Sequence, residues 1–543
     1  MATRNCFIGV DVGTGSARAG VFDAAGSLLA SAKREIAIYR EAGDTAEQSS
    51  RNIWDAVCAA VQDARHRSGA GAEAVKGIGF DATCSLVVLD RNHEPLTVSA
   101  SGDPDRNIIV WMDHRANSQA SRINATGHRV LNYVGGKISP EMETPKLLWL
   151  KENLAETYRN ARLFLDLTDY LTWRATGDPA RSVCTVTCKW TYMAHEKAWD
   201  ASYFHEIGLG DLADEGFARI GTSIVDAGTA LGAGLTAAAA AELGLNAGTA
   251  VAAGLIDAHA GGLGTVGAAG QPEGAQARMA YVFGTSACTM SSSDSAAFVP
   301  GDWGPYYSAM VPGLWLSEGG QSAAGEAMAQ LVRFHPADPD AMAAAAEAGQ
   351  HVLEYLLARI EAEVAEPSQA LTCARDMVVV PDFLGNRAPF ADPDAKAIIS
   401  GLDADTSIES LAALYVAGIA GLGYGLRQIL EVQASNGVAP ELVVISGGAG
   451  EHPIVKQLLA DAAGIAIAEP GSPEPVLLGS AMLGAVASGE KSSVTAAMSE
   501  MSSLGRVYEP AAGAIGQQHL KRFQAFEALQ AAACLLRSGI SHG

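Results

Sequence analysis

Two apolar segments separated by a glycine-rich turn begin the chain. Residues 7–10 and 17–23 each have the length and composition of a β-strand, and residues 11–16 between them are rich in turn formers. Glycine lets a backbone turn tightly, so the pattern predicts a β-hairpin with a glycine-rich tip. Further strands are expected over 28–36 and 77–81, and the helical spacing of apolar residues predicts a helix over 48–64.

A similar pattern recurs about 270 residues later. Residues 278–283 are an apolar run that leads into Gly284-Thr285-Ser286 and a return strand from 288, which hints at internal duplication. The Gly- and Ala-rich segment 261–275 is the natural boundary. The length of 543 residues alone suggests about two to four domains, and this boundary divides the chain into two, 1–265 and 275–543.

The second half also has legible elements. Helical periodicity covers 338–365, a buried-type strand is expected over 441–445, and a helix follows from about 453. The last 30 residues have the pattern of a terminal helix. The strand–glycine–helix sequence at 441–453 predicts a tight turn between two buried elements.

The overall charge argues against two classes of partner. The formal net charge is −23 and the isoelectric point is near 4.9. Such a polyanion repels phosphate backbones and anionic headgroups, so we expect neither nucleic acid nor a membrane as the main partner. The N-terminus has no signal-peptide pattern and the chain has no uninterrupted apolar run of about 18 residues, which favours a cytoplasmic location.

The cysteines and one glycine motif give no evidence of a binding site in the sequence. Cys184 and Cys188 have C-x3-C spacing, but no second pair or nearby histidine completes a zinc site, so we expect reduced, buried thiols. Residues 262–267 match G-x-G-x-x-G. They follow no strand, and no acidic residue lies about 20 positions on, so close helix packing explains them better than a dinucleotide site.

The first motif that can carry chemistry lies in the N-terminal turn. It reads Asp11-x-Gly13-Thr14-Gly15-Ser16-x-Arg18. Its glycines bring backbone N–H groups up to a phosphate, and its hydroxyls and guanidinium add donors. Asp11 would repel phosphate, so hydrated Mg²⁺ is its better partner. An ordinary hairpin turn with polar surface groups explains the spacing equally well.

A second motif places one acid among apolar and glycine residues. It reads Gly254-Leu255-Ile256-Asp257-Ala258-His259. Burying a lone carboxylate is costly, so Asp257 is a candidate general base that takes a proton from a hydroxyl group. A helix N-cap is the alternative, and the two are compatible. We expect His259 to be packed rather than catalytic.

Two further motifs have alternatives of equal weight. Trp111-Met112-Asp113-His114-Arg115 offers an aromatic face and charged groups for a sugar, or else begins a salt-bridged surface helix. Ser446-Gly447-Gly448-Ala449-Gly450 offers close contact to a flat ligand such as adenine, or else is a tight turn. Lys189 and Glu318 are isolated charges in apolar or small surroundings and are either site residues or structural ion-pair members.

In their order along the chain, these motifs resemble the FGGY carbohydrate kinases. The match consists of D-x-G-T-x-S-x-R, a mid-chain Gly-x-x-Asp-x-x-x-x-Gly, a second Phe-Gly-Thr-Ser and a late Gly-Gly-Ala. Trp111-x-Asp113-x-Arg115 and the segment 385–389 also match, and the resemblance runs from about residue 6 to 490. It implies an α/β fold with two actin-like (ribonuclease H-like) ATPase domains that close over ATP and a sugar in a central cleft.

The resemblance also implies residue roles. Asp257 would be the catalytic base, and Asp11 with Asp257 would hold Mg²⁺. ATP would contact two glycine loops and the late glycine motif: Gly13, Thr14, Gly15, Ser16, Arg18, Gly284, Thr285, Gly447, Gly448 and Ala449. The sugar would contact Thr83, Cys84, Asp113, Lys189, Asp257 and Glu318.

Within that family the sequence looks most like the ribulokinases, in their D-ribulokinase branch. Residues 318–323 are typical of ribulokinases, and residues 83–87 resemble the signature of the D-ribulose enzymes. The expected reaction is phosphorylation of D-ribulose by ATP to D-ribulose 5-phosphate. Ribitol, L-ribulose and D-xylulose stay open as substrates, and an actin- or chaperone-like ATPase is the alternative from another class. A homodimer is expected by base rate.

Overall fold

The computed structural model describes residues 5–41 and 45–540. The outer limits of the two predicted domains, residues 1 and 543, lie outside the described residues. So do residues 1–4 of the N-terminus, on which the expectation of no signal peptide partly rests. Over the described ranges, the chain forms two large sheets covered by helices, with a cleft between its two halves.

The first large sheet is built from the N-terminal half. Its strands, in spatial order, are Ala250–Val251, Val75–Ala82, Cys6–Val12, Ser16–Asp23 and Leu28–Glu35, and Leu255–Ile256 also pairs with Val75–Ala82. The strands over 6–35 are antiparallel, as the predicted hairpin requires, and Val75–Ala82 runs parallel to Cys6–Val12. The ends at Val12, Ala82 and Ile256 therefore lie at one edge of the sheet.

The second large sheet is built from the C-terminal half. Its strands, in spatial order, are Trp303–Tyr307, Trp315–Gln321, Ala287–Ser293, Arg278–Phe283, Leu442–Ser446, Ala466–Pro470 and Leu504–Tyr508. Arg278–Phe283 and Ala287–Ser293 form the second predicted hairpin, and Leu442–Ser446 runs parallel to the first of them. Each half thus contains an antiparallel hairpin flanked by a parallel strand, which is the repetition that the sequence predicts.

Smaller sheets and the helices complete the fold. A five-stranded sheet contains Tyr39–Arg40, Ala46–Gln48, Ile108–Ile109, Leu86–Asp90 and Ala161–Asp166, and two strand pairs are Arg181–Ser182 with Ile224–Val225 and Val378–Val380 with Ile398–Ser400. The helices of the first half are Ser50–Ser68, Asn117–Thr126, Glu143–Asn153, Ala155–Asn160, Leu167–Thr176, Val183–Trp190, Ala201–Glu206, Gly210–Asp214, Ala237–Leu243 and Asp257–Val266. Those of the second half are Gly325–Phe334, Asp338–Glu347, Val352–Glu363, Ile408–Ser435, Pro453–Ala463, Pro475–Ala487, Val494–Met501 and Gly513–Ile540.

One helix of the second half lies directly on the first sheet. A Cβ atom at Gly9 would lie 1.8 Å from the carbonyl oxygen of Leu477, and one at Gly79 would lie 2.0 Å from that of Ser480. Side chains at these strand positions would clash, so the glycines let the helix Pro475–Ala487 rest on the strand backbones. The first core is consequently completed by residues from the other half of the chain.

The helix Asp257–Val266 packs against that same helix through glycines. A Cβ atom at Gly264 would lie 2.1 Å from the oxygen of Pro475, and one at Gly479 would lie 2.0 Å from that of Ala260. The predicted role of the 262–267 glycines in close helix packing is therefore confirmed. The two helices form a tightly packed pair between the halves, which we call the central helix pair.

The helix Ile408–Ser435 has the length and composition to cross a membrane. However, 83% of its most apolar window is buried inside the protein. It packs beside the helix Pro453–Ala463 in the second core, so it is a core helix.

Most predicted elements occur where the sequence places them. The helices expected over 48–64, from 453 and at the C-terminus are Ser50–Ser68, Pro453–Ala463 and Gly513–Ile540. The helical segment over 338–365 is broken into two helices around Gly349, whose φ of +68° does not fit a helix. The predicted two-domain α/β fold with a cleft is confirmed.

Candidate active site

A cleft with a volume of about 1370 Å³ opens between the two halves. The N-terminal half contributes the first glycine loop, represented by Gly13, Thr14 and Ser16, together with Asp257. The C-terminal half contributes Glu318 from its large sheet. The cleft therefore brings together residues from motifs that are several hundred positions apart in the sequence.

Strand pairing gathers carboxylates at the edge of the first sheet. Asp11 is the register partner of Asp81 on the neighbouring parallel strand, and Leu255 is the partner of Asp81 on its other side. Asp257 follows two residues after Leu255 and lines the cleft with Asp11. The two acids predicted to hold Mg²⁺ thus lie on the same edge because parallel strands end there.

Asp257 is the first residue of the helix Asp257–Val266, one position after the N-cap residue Ile256. Its Oδ1 accepts a hydrogen bond from the backbone N–H of Ala258 over 2.7 Å. Burial and the charge of Asp11 raise the pKa of Asp257 to about 6. The carboxylate is still ionised at neutral pH, and it is a stronger proton acceptor than an ordinary aspartate.

Arg18 is paired with carboxylates. Its Nε and Nη2 both donate to Oδ2 of Asp11, the former over 2.8 Å, and its Nη1 donates to Oε2 of Glu474 over 2.9 Å. Against the effect of burial, these acids raise the pKa of Arg18. The guanidinium orients Asp11, and because Arg18 also lines the cleft, its contact with a phosphate oxygen stays a prediction.

Asp81 lies buried behind Asp11. Its Oδ2 accepts a hydrogen bond over 2.5 Å from Oγ of Ser480 on the glycine-packed helix, 399 residues away in the sequence. Burial and the charge of Asp11 raise the pKa of Asp81 well above its usual value. Asp81 therefore ties the Asp11 strand to a helix of the other half.

Lys189 and Glu318 reach the cleft from different halves. Lys189 lies near the end of the helix Val183–Trp190, and Glu318 lies on the strand Trp315–Gln321. Burial alone would raise the pKa of Glu318, but the hydrogen bond with His259 and the charge of Lys189 lower it to about 2. A fixed cation and a fixed anion at one site give a hydroxyl group both a donor and an acceptor.

Thr83 and Cys84 line the same cleft just beyond the strand Val75–Ala82. The backbone N–H of Thr83 donates to the carbonyl oxygen of Val12 over 3.0 Å, which fixes this segment beside the first glycine loop. Burial raises the pKa of the Cys84 thiol to about 12, so the thiol is neutral. Its surroundings are those of a small, partly apolar contact rather than a nucleophile.

His259 is buried and connects Glu318 to a cysteine. Its Nδ1 lies 3.1 Å from Sγ of Cys184, and its Nε2 lies 3.4 Å from Oε2 of Glu318. Cys188 completes a group whose ligand atoms all lie within 4.8 Å of one another. The expectation that no histidine lies near the C-x3-C pair is wrong, because His259 is 75 residues away in the chain but adjacent in space.

Asp113 serves a different purpose from the predicted sugar contact. Its Oδ2 accepts from the backbone N–H of Ala46 over 2.7 Å, and both of its oxygens accept from Nε of Arg115. Arg115 also donates to Glu47 over 2.7 Å. Asp113 is fully buried and is not among the described residues that line the cleft, so its assignment to the sugar site is corrected.

Trp111, from the same motif, does line the cleft. Its indole Nε1–H donates to Oγ1 of Thr14 over 2.9 Å, and its backbone N–H donates to Oγ of Ser85 over 3.1 Å. The ring thus joins the first glycine loop to the segment that carries Thr83 and Cys84.

The second glycine loop and the late glycine motif emerge side by side. Val282 is the register partner of Ser446 on a parallel strand, so the turns that follow them are neighbours. A Cβ atom at Gly447, where φ is +100°, would lie 2.6 Å from the carbonyl oxygen of Phe283. Val282 lies on the cleft lining, whereas these predicted nucleotide contacts border it without being among its described lining residues: Gly284, Thr285, Gly447, Gly448 and Ala449.

The cleft lining also contains charged residues that were not predicted individually, among them Glu141, Arg387 and Glu474. Glu141 lies 3.3 Å from Nε2 of His114, Arg387 has its Nη1 3.6 Å from Sγ of Cys288, and Glu474 holds Arg18. Arg387 belongs to the segment 385–389, which matches the family pattern, so the sequence did contain a signal that could have identified it as a site residue. Neither Glu141 nor Glu474 belongs to a motif that the sequence alone singles out.

Sequence comparison adds relatives to this geometry. Residues 6–264 match the N-terminal domain and residues 279–488 the C-terminal domain of the FGGY family of carbohydrate kinases. The chain is 45% identical over 515 residues to a human FGGY carbohydrate kinase domain-containing protein, covering 93% of this chain and 92% of that one. It is 39% identical over 514 residues to a D-ribulokinase of Saccharomyces cerevisiae, covering 89% of this chain and 72% of the yeast protein.

Solved structures show the same fold. A xylulose kinase from Rhodospirillum rubrum superposes with a TM-score of 0.79 at 21% identity, covering 98% of this chain and 99% of that one. At this identity the likeness speaks for the fold alone. The cleft, the paired hairpins and the central helix pair are thus placed in a known architecture.

Proposed function

Because the chain belongs to the FGGY family of carbohydrate kinases, we propose that it transfers the γ-phosphoryl group of ATP to the terminal hydroxyl of a pentulose. D-Ribulose is the first candidate, with D-ribulose 5-phosphate as the product. L-Ribulose, D-xylulose and ribitol are the alternatives. An actin- or chaperone-like ATPase is set aside, since both halves of the chain match carbohydrate kinases.

The 39% identity to a D-ribulokinase over most of the chain is the observation that carries the choice of substrate. The cleft agrees with it, because Lys189, Glu318, Thr83 and Cys84 line the same cleft as Asp257. These are the residues that the ribulokinase resemblance assigns to the sugar. Lys189 and Glu318 would bind hydroxyl or carbonyl oxygens, and Cys84 would pack against the carbon chain.

Asp257 is the proposed general base. A hydroxyl bound beside it would lose its proton to the carboxylate as the oxygen attacks the γ-phosphorus in line. The helix N-terminus and the Ala258 N–H hold the carboxylate in place, so little reorganisation is needed at the moment of reaction. Closure of the cleft would exclude water, which competes with the sugar for the phosphoryl group.

Asp11 and Asp257 are the residues that would hold Mg²⁺. Carboxylate oxygens suit this hard cation, and burial together with the charge of Asp11 raises the pKa of Asp257, so a cation bound between the two acids would stabilise the ionised form. When bound, the ion supplies positive charge to the phosphates and to the phosphoryl group in transfer. Arg18 and Glu474 would keep Asp11 in its orientation.

The nucleotide is proposed to lie along the glycine loops. Backbone N–H groups of the first loop, with the hydroxyls of Thr14 and Ser16, would bind the phosphates. The second loop at Gly284 and Thr285 would face them from the other half. The adenosine would lie against Gly447, Gly448 and Ala449, where two glycines and one methyl group allow a flat ring to approach the backbone.

A substrate panel tests the proposal. Release of ADP is followed in a coupled assay with MgATP and, one at a time, D-ribulose, L-ribulose, D-xylulose, ribitol and glycerol. We expect the highest kcat/KM with D-ribulose. ADP release that is the same with and without every sugar would refute a pentulose kinase, and a preference for another pentulose or a pentitol would move the assignment to that substrate.

Three expectations from the sequence enter here as proposals. The domain boundary is proposed between residues 265 and 275, although the helix Pro475–Ala487 shares the first core. The location is proposed to be cytoplasmic, with no nucleic acid or membrane as partner. A homodimer is proposed for solution, which light scattering tests directly.

A further inference from the structure

A buried sulfur, Sγ of Cys184, lies behind the proposed sugar site in contact with His259 and the backbone of Ile256. We propose that Cys184 is a positioning residue that holds Glu318 for the sugar by way of His259. The inference rests on the proposed function in one respect, namely that Glu318 contacts the sugar. Neither Cys184 nor His259 lines the cleft among the described residues, so neither can act on the substrate directly.

The sulfur is fixed from several sides. Sγ of Cys184 lies 3.1 Å from Nδ1 of His259 and accepts the backbone N–H of Ile256 over 3.4 Å. Oγ of Ser182 accepts from the backbone N–H of Cys184 over 3.3 Å and donates to the carbonyl oxygen of Gly254 over 2.7 Å. The helix that carries Cys184 is therefore attached to the segment that leads into Asp257, and the sulfur has a defined place.

The imidazole passes this placement on to Glu318. Nε2 of His259 lies 3.4 Å from Oε2 of Glu318, and an ionised carboxylate can only accept, so Nε2 carries the hydrogen. The other ring nitrogen then faces the sulfur, which can either donate to it or accept from it. With both nitrogens engaged, the ring has one orientation, just as a second partner fixes the ring of a metal-bound histidine.

The relay crosses from one half of the chain to the other. Cys184 and His259 belong to the helices Val183–Trp190 and Asp257–Val266, whereas Glu318 belongs to the strand Trp315–Gln321 of the second sheet. The Glu318 side chain is 14% exposed and His259 1% exposed, so the carboxylate meets the cleft while its support stays dry. Lys189 is on the same helix as Cys184, so the relay also fixes the position of Lys189 relative to Glu318.

The test compares variants that differ by one atom at the sulfur position. Cys184→Ala removes the polar group, and Cys184→Ser keeps a hydroxyl that can bond to His259. We expect Cys184→Ala to raise KM for the sugar by about tenfold or more, since hydrogen bonds in a chain that ends on a charged group are the stronger ones, and KM for ATP to change less than about twofold. Cys184→Ser should regain most of the sugar affinity.

A matched control separates positioning from packing. Cys58→Ala removes a different buried sulfur, in the helix Ser50–Ser68 and away from the cleft. It should leave KM for the sugar and KM for ATP unchanged. An unchanged sugar KM in Cys184→Ala, or equal loss in Cys184→Ala and Cys184→Ser, would overturn the proposal. Should Cys184→Ala fail to fold, a sugar KM in Cys184→Ser as high as that of Glu318→Gln would overturn it equally.

Coupling between residues that do not touch gives a second readout. If Cys184 acts through Glu318, the double variant Cys184→Ala with Glu318→Gln should lose no more kcat/KM than Glu318→Gln alone, within about threefold. The same cycle in urea unfolding needs no substrate, so it decides on the relay even if no pentulose is phosphorylated and the proposed function fails. Strict additivity of the two changes in stability would refute the relay.

Discussion

Replacing Asp257 by asparagine should abolish most of the activity and at the same time stabilise the protein. The variant keeps the shape of the side chain and an oxygen that accepts the Ala258 N–H, but it cannot take a proton. General-base catalysis contributes about 10²–10⁴-fold, so kcat should fall by that factor while KM for ATP changes little. Stability should move in the opposite direction.

The gain in stability follows from the pKa of Asp257. Burial and Asp11 raise it from 3.8 to about 6, so the folded state binds its proton more tightly than the unfolded state does. The stability of the wild type therefore falls as pH rises through the range from 3.8 to about 6. Above that range the loss is complete and amounts to about 3 kcal/mol, which the neutral asparagine does not incur.

Urea unfolding of the ligand-free protein, with a chelator present, measures this difference. We expect Asp257→Asn to be more stable than the wild type by up to about 3 kcal/mol at pH 7.5 and by much less at pH 4.5. Asp23→Asn is the control for a general loss of negative charge, because Asp23 ends the strand Ser16–Asp23 and its Oδ1 also accepts backbone N–H groups, those of Ala25 and Ser27. A variant with near-normal kcat, or one that is less stable at pH 7.5, would contradict the reasoning.

Three other predictions concern separate parts of the cleft. Glu318→Gln should raise KM for the sugar by about tenfold or more and leave KM for ATP within about twofold, as initial rates at varied sugar and ATP will show. Gly447→Ala should raise KM for ATP and leave KM for the sugar nearly unchanged, because a Cβ atom 2.6 Å from the Phe283 oxygen must displace the late glycine motif. Isothermal titration calorimetry with ADP measures the loss of nucleotide affinity. Gly79→Ala should lower the free energy of unfolding by about 1–3 kcal/mol or more, because the new methyl group would lie 2.0 Å from the carbonyl oxygen of Ser480. An unchanged midpoint of urea unfolding would contradict this close contact.

The local elements of this protein could be predicted because their signals are local. The hairpin over 6–23 combines strand-length apolar runs with a glycine-rich tip, and each signal lies within a few residues of the structure it causes. The same holds for the helix that begins at Pro453, where a proline in the first turn follows a glycine turn. The motifs that line the cleft were likewise recognisable by residue type and order.

Contacts between distant segments could not be predicted in this way. The histidine that follows the C-x3-C pair in the sequence is His195, whereas only the packing of two helices brings His259 to Cys184. Asp113 was misassigned for a related reason, because nothing in its own motif reveals that Ala46 and Glu47, 67 and 66 positions earlier, use it and Arg115 to hold a small sheet together. Asp81 and Ser480 are a third example, separated by 399 residues.

The central helix pair has a mechanical consequence. Its two helices touch backbone to backbone through Gly264 and Gly479, so no side chains stand between them at the point of contact. Glu474, which immediately precedes the helix Pro475–Ala487, holds Arg18 beside the first glycine loop. A rotation of one half about the central helix pair would move the outer edges of the cleft over a long distance. The atoms nearest the helix pair, where phosphoryl transfer is proposed, would move very little.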